Sequence, residues 1–152
     1  MDNKYVRNMY QKGPIVFISD DEDDQLIFKP ILEELAPMSD IIFFNDGHEA
    51  IEYLKITPER PFLIISEVSM QVVNGLELRR QIEADSKLRR RAIPFIFFTH
   101  PVYRHLVEEA YELTIQGFFE KKQSVEEMRT QLDAIVRYWS DCLHPNRFAE
   151  HE

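Results

Sequence analysis

Cysteine is nearly absent: Cys142 stands alone in 152 residues, which excludes an intrachain disulfide and any metal centre built on several thiolates. Glycine is scarce as well. Gly13, Gly47, Gly75 and Gly117 are the only four, none close to another, so no glycine-rich loop is available to wrap a phosphate chain. Cations are outnumbered, with 18 Lys and Arg against 27 Asp and Glu and a formal net charge of −9. That balance argues against nucleic acid as a partner, since binding it requires Lys and Arg to neutralise phosphates. No apolar run reaches the roughly 20 residues that span a bilayer. The stretch Met1 to Lys12 is polar and lacks the apolar core of a signal peptide. Histidines His48, His100, His105, His144 and His151 show no metal-ligand pairing. A cytoplasmic chain without membrane contact is expected.

What the chain does have is apolar patterning. The hydrophobic share of 44% suits one domain, which at this length buries about 70% of the surface its unfolded chain exposes. Ile15-Val16-Phe17-Ile18, Ile41-Ile42-Phe43-Phe44, Phe62-Leu63-Ile64-Ile65 and Pro94-Phe95-Ile96-Phe97-Phe98 are short continuous apolar runs. Such runs mark strands covered on both faces. Ile115 to Phe119 is a fifth, shorter strand. Helical stripes lie between them: Leu26, Ile27, Ile31, Leu32 and Leu35; Ala50, Ile51 and Leu54; Leu76, Leu78 and Ile82. Val102 to Leu113 reads as a helix with Pro101 near its first turn. Val125 to Trp139 is a long amphipathic helix. Pro30 lies inside the first helix and should kink it. The basic run Lys87 to Arg91, interrupted by Leu88, reads as a solvated helix end.

Strand and helix thus alternate five times, which predicts a doubly wound α/β domain with a five-stranded parallel sheet. In such sheets function gathers beyond the carboxyl ends of the strands. The first strand ends in Ser19-Asp20-Asp21-Glu22-Asp23-Asp24 and the third in Ser66-Glu67-Val68-Ser69-Met70. The fourth ends in Thr99-His100 and the fifth in Glu120-Lys121. Acids at two strand ends, a hydroxyl at a third and an ammonium at a fourth form a site for a hard cation and a phosphoryl group. Asp23 and Asp24 are read more simply as first-turn acids of the first helix, favoured by its dipole.

Taken in order, these segments resemble the receiver domains of two-component signalling. The resemblance spans residues 14 to 142 and includes Asn45-Asp46-Gly47, Met70, Asn74-Gly75-Leu76-Glu77, Ile93-Pro94 to Thr99, and Gly117-Phe118-Phe119-Glu120-Lys121. It implies a flavodoxin-like (βα)5 fold, with residues 1–13 and 143–152 as tails. It also implies that Glu67 stands at the phosphoacceptor position, beside Thr99 and Lys121. A metal would take Asp20, Glu67 and the Ser69 carbonyl.

The chain departs from the family at several of these positions. Glu67 replaces the family's aspartate and carries its carboxylate about 1.5 Å further out, one C–C bond. Phosphoryl transfer rests on positioning, so this displacement should be costly. The acid pair is eroded: helix phase puts Ser19 at the first acid and Asp20 at the second, while the other register pairs Asp20 with Asp21. His100 follows the Thr where a small residue is usual, Phe118 replaces a frequent Tyr, and Lys122 stands where a cis-linked proline is usual. Mg²⁺ binding is therefore predicted to be weak, and an ion pair between Glu67 and Lys121 is expected in the resting protein.

The leading expectation is a non-enzymatic signalling module that acts through protein contacts without phosphorylation. Its partner would be a histidine kinase or a downstream effector. A homodimer through the fourth helix, fifth strand and fifth helix is also open, with Val102, Tyr103, Leu106, Phe118 and Trp139 on or beneath that surface. No output domain is expected after the fifth helix. The alternatives are a conventional phosphorylated response regulator and a phosphate-handling enzyme on a similar sheet. Hydrolases of the latter kind carry alternating acids followed by Gly-Thr, which Ser19 to Asp24 lack. An FMN site on the same sheet would need phosphate loops of small residues.

Overall fold

All five apolar runs form strands in the computed structural model, which describes residues 13–147. They are β1 (Ile15–Ile18), β2 (Ile41–Phe44), β3 (Leu63–Ser66), β4 (Phe95–Thr99) and β5 (Gly117–Glu120). All pairings are parallel and the order is β2-β1-β3-β4-β5. The helices are α1 (Glu22–Leu35), α2 (Gly47–Ile56), α3 (Gly75–Ala84), α4 (Ser86–Arg91), α5 (Arg104–Glu112) and α6 (Val125–Asp141). Among the described residues no helix is long and apolar enough to cross a membrane.

The strands are apolar throughout because both faces are covered. Ile15, Phe17, Leu63, Ile65, Ile96 and Phe98 pack with Phe28, Ile31 and Leu32 of α1 and Leu132, Ile135 and Val136 of α6. Val16, Ile18, Ile64, Phe95 and Phe97 pack on the opposite face with residues of α2, α3 and α5, including Leu54, Leu78 and Ala110. Strand alternation sends neighbouring side chains to opposite layers.

Local signals differ from the sequence reading in several places. Leu26 is not part of the buried stripe of α1. It is 75% exposed, and the stripe runs instead through Asp24, Phe28, Ile31 and Leu32. Pro30 lies inside α1, which runs from Glu22 to Leu35. Both Pro30 and the residue four before it, Leu26, lie on the exposed side, where water can satisfy the freed carbonyl. The basic run does end a helix before a strand, but that helix is a short one of its own, α4. Asp85 closes α3 and caps α4, its carboxylate accepting from the N–H groups of Lys87 and Leu88 at 3.0 Å each. Helix α5 starts at Arg104, so Pro101 lies in the loop before it, after a cis peptide bond with His100.

The chain expected to leave the domain after Cys142 packs back onto it. The buried His144 ring bonds through Nε2 to the Ala92 carbonyl at 2.5 Å, and Asn146 Nδ2 donates to the Pro61 carbonyl at 3.1 Å. The rest of the predicted tails, residues 1–12 and 148–152, lies outside the described residues.

Candidate functional site

Four elements bring their ends together at the carboxyl edge of the sheet. Glu67 directly follows β3, and its N–H donates to the Ile18 carbonyl at 2.9 Å, continuing the ladder with β1. Gly75 holds the same segment from the other side. Its N–H donates to the Val68 carbonyl at 2.8 Å, and a Cβ there would lie 2.3 Å from the Glu67 carbonyl oxygen. Only glycine lets the α3 N-terminus approach this closely. Thr99 closes β4 and is 2% exposed. Lys121 follows β5, with its N–H donating to the Thr99 carbonyl at 2.8 Å.

The side chains form one connected network. Thr99 Oγ1 donates to Glu67 Oε1 at 2.5 Å. Lys121 Nζ donates to Glu67 Oε2 and, at 2.9 Å, to Asp24 Oδ2. Ser19 Oγ donates to that same Asp24 oxygen at 2.8 Å. The three charged side chains are only 13%, 9% and 13% exposed for Lys121, Asp24 and Glu67. The Lys121 ammonium also stands 5.5 Å from the Phe28 ring centroid and 5.6 Å from that of Phe98, within cation–π range. Burial by itself would pull the Lys121 pKa down. The bonds and charge of Glu67, then of Asp24, outweigh it and hold the group above its ordinary 10.5.

Both Glu67 oxygens are therefore engaged, one by a hydroxyl and one by an ammonium.

The pattern of the response regulator receiver domain matches residues 5–133. The chain belongs to that family. This receiver is 23% identical over 129 residues to a probable methanogenesis regulatory protein, FilR2, of Methanothrix harundinacea, covering 82% of each chain. Its fold matches the phosphorylated cyanobacterial phytochrome response regulator RcpA with a TM-score of 0.80 at 20% identity, covering 89% of this chain and 99% of that one. It also matches the receiver domain of the sensor histidine kinase PA1611 of Pseudomonas aeruginosa, which holds a magnesium ion in its active site cleft. There the TM-score is 0.71 at 20% identity, with 87% and 99% covered. Receivers of this kind are signalling modules of two-component systems.

The fold brings Glu67, Thr99 and Lys121 of this receiver together, but treats the acids after β1 differently from the sequence reading. Asp24 is a correction. It is a first-turn residue of α1, yet it faces inward and pairs with Lys121 instead of serving only the helix dipole. Asp24 precedes Phe28 by four, so once Phe28 is found in the core Asp24 shares its stripe. Ser19 is also inside, 5% exposed, whereas Asp20 is exposed. Asp21 caps α1 by accepting from the Asp23 N–H at 2.9 Å. The pocket is thus entered by Ser19 and Asp24.

Of the expected metal ligands, Asp20 is exposed and Glu67 is engaged by Thr99 and Lys121. Among the described residues no group of three or more His, Cys, Asp or Glu is placed to hold a metal ion. A cation entering beside Glu67 would meet the Lys121 ammonium already in contact with it. At the rim, His100 is largely exposed and its Nδ1 stands 3.7 Å from Glu120 Oε2. Phe118 packs inward, its ring 5.6 Å from that of Phe97. Leu106 packs against the same core cluster, Val102 is half-buried and Tyr103 is 58% exposed. Trp139 does not join that patch, because it packs against the other layer with α1 and α6 and near His144.

Proposed function

We propose that this chain is a receiver whose site is held by internal charge, and that it signals through protein contacts without being phosphorylated. The observation that carries the proposal is the double engagement of Glu67 by Thr99 and Lys121. A phosphorylated carboxylate would present phosphoryl oxygens to that hydroxyl and ammonium. Here the longer Glu67 side chain places its own oxygens there. In-line attack on a phosphoryl donor needs a free carboxylate oxygen and a cation to neutralise the transferring group. Glu67 has neither: its oxygens are taken, and the charge that would draw in Mg²⁺ is already balanced by Lys121. Asp24 holds the ammonium from the other side, and Ser19 holds Asp24, so both act as positioning residues.

On this reading Thr99 and Lys121 are drawn toward β3, as they would be toward a phosphoryl group, with Phe118 turned inward. Output passes through the surface of α5, β5 and α6, with Tyr103 and Leu106 near its centre. It reaches a cytoplasmic partner, either a histidine kinase or a downstream effector, or a second copy of the chain. Asp20, Glu67 and the Ser69 carbonyl would take a metal only weakly. The test is intact-mass spectrometry after incubation with acetyl phosphate and Mg²⁺, beside a calorimetric Mg²⁺ titration. We expect no phosphate adduct and no saturation at millimolar Mg²⁺. A stable adduct on Glu67 would instead establish a conventional phosphorylated regulator.

A further inference from the structure

The opposite pole of the sheet, toward the amino ends of β3 and β4, carries a cleft. It opens where the loop before β3, helix α4 and the turn after α6 meet, with a volume of about 540 Å³. Four cations line it, Arg60, Lys87, Arg90 and Arg91, between apolar walls that include Pro61 and Ile93. Among the described residues no carboxylate lines it, although acids outnumber cations 27 to 18 in the chain. The neighbouring Glu59 instead meets the Tyr53 hydroxyl at 3.4 Å.

Cations at a helix end are ordinarily explained by the helix dipole. That favours Arg89, Arg90 and Arg91, which stand in the last turn of α4, and leaves Lys87. Arg89 donates to the Glu83 carbonyl at 3.2 Å, and Arg91 to the carbonyls of Leu54 and Thr57 at 3.5 and 3.3 Å. Lys87 and Arg90 are exposed and enter no ion pair among the described residues. Their spacing of three places them on one face of α4, and Lys87 and Arg91 share it at a spacing of four. The Arg91 guanidinium is held in place by its two carbonyl contacts, so part of the site is ordered before any ligand arrives. Asn146 ties the third wall to Pro61.

From this we infer that the cleft binds an oligophosphate group, either free or carried by a nucleotide. Its volume falls in the range of small-molecule sites, roughly 300–1,000 Å³. Guanidinium groups match phosphate oxygens through paired donors. The cleft gives the receiver an anion-binding site remote from Glu67, and it stands or falls independently of whether Glu67 is phosphorylated.

The test is isothermal titration calorimetry of the full chain in about 0.1 M KCl, without Mg²⁺. Inorganic tripolyphosphate, ATP and citrate are titrated separately. Saturable one-to-one binding of tripolyphosphate or ATP is expected, and Lys87→Glu/Arg90→Glu should weaken it by about tenfold or more, at least 1.4 kcal/mol. The charge-matched Lys29→Glu/Arg104→Glu variant should bind like the parent, and circular dichroism checks that both fold. Tighter binding of ATP identifies a nucleotide, and equal or tighter binding of tripolyphosphate identifies the phosphate chain alone. Absence of saturable binding overturns the inference, as does equal weakening in both double variants. Citrate binding as tightly as tripolyphosphate, or binding only of poly-glutamate in a fourth titration, also overturns it.

Discussion

Replacing Lys121 with Met removes the ammonium while retaining a side chain that can lie against Phe28 and Phe98. Asp24 and Glu67 then face the same vacated position without a cation. Removing one partner of a fully buried pair costs about 3–5 kcal/mol, because the remaining charge is left uncompensated. With exposures of 9–13% around the network, some solvent relief is available, so the lower end, about 3 kcal/mol, is expected. In a domain of this size each kcal/mol moves Tm by about 2–4 °C, which puts the shift at about 6–12 °C. Urea and thermal unfolding followed by circular dichroism at neutral pH would measure it. The triple variant Asp24→Asn/Glu67→Gln/Lys121→Met, which removes the charges together, should recover more than half of the loss. A Lys121→Met protein within about 0.5 kcal/mol of the parent, the range of ordinary surface changes, would refute the buried network. A triple variant as unstable as the single one would place the loss in packing rather than in charge.

Other consequences follow from the same geometry. The Lys121 pKa is raised in the fold, so its stabilisation is complete below the unfolded value of about 10.4 and fades as pH climbs through the higher folded value. Urea midpoints of the parent and Lys121→Met should therefore converge only in that alkaline window. Gly75→Ala should destabilise by about 1–3 kcal/mol, as overpacked sites do, because its Cβ would press on the Glu67 carbonyl and the Phe97 ring; urea titration reads this directly. Ala92 closes α4 with φ at 53°, so Ala92→Gly should raise stability by about 0.5–1 kcal/mol in the same assay. That change leaves the backbone carbonyl that receives His144 in place.

The receiver fold and three of the residues that meet at the carboxyl edge of its sheet were legible in the sequence for a local reason. Buried parallel strands are short, continuous and apolar, so the residues that end them can be named without knowing the packing. Glu67, Thr99 and Lys121 are such residues, and their convergence follows from any right-handed winding of the sheet. Asp24 was a different case. A first-turn acid satisfies the helix dipole whether it faces solvent or the core, and the two readings separate only when Phe28 is seen stacked beneath β1 and β4. The same holds for Ser19 and Asp20, where the choice of which side chain turns inward depends on how α1 settles against the sheet. Helix α4 and the return of His144 to Ala92 also came from tertiary structure. An acid at position 85 caps a helix only once the chain bends there, and a buried histidine contact 52 residues distant in sequence leaves no periodic trace. The added methylene of Glu67 could be read from the sequence, but only packing shows where it delivers the carboxylate, onto Thr99 and Lys121.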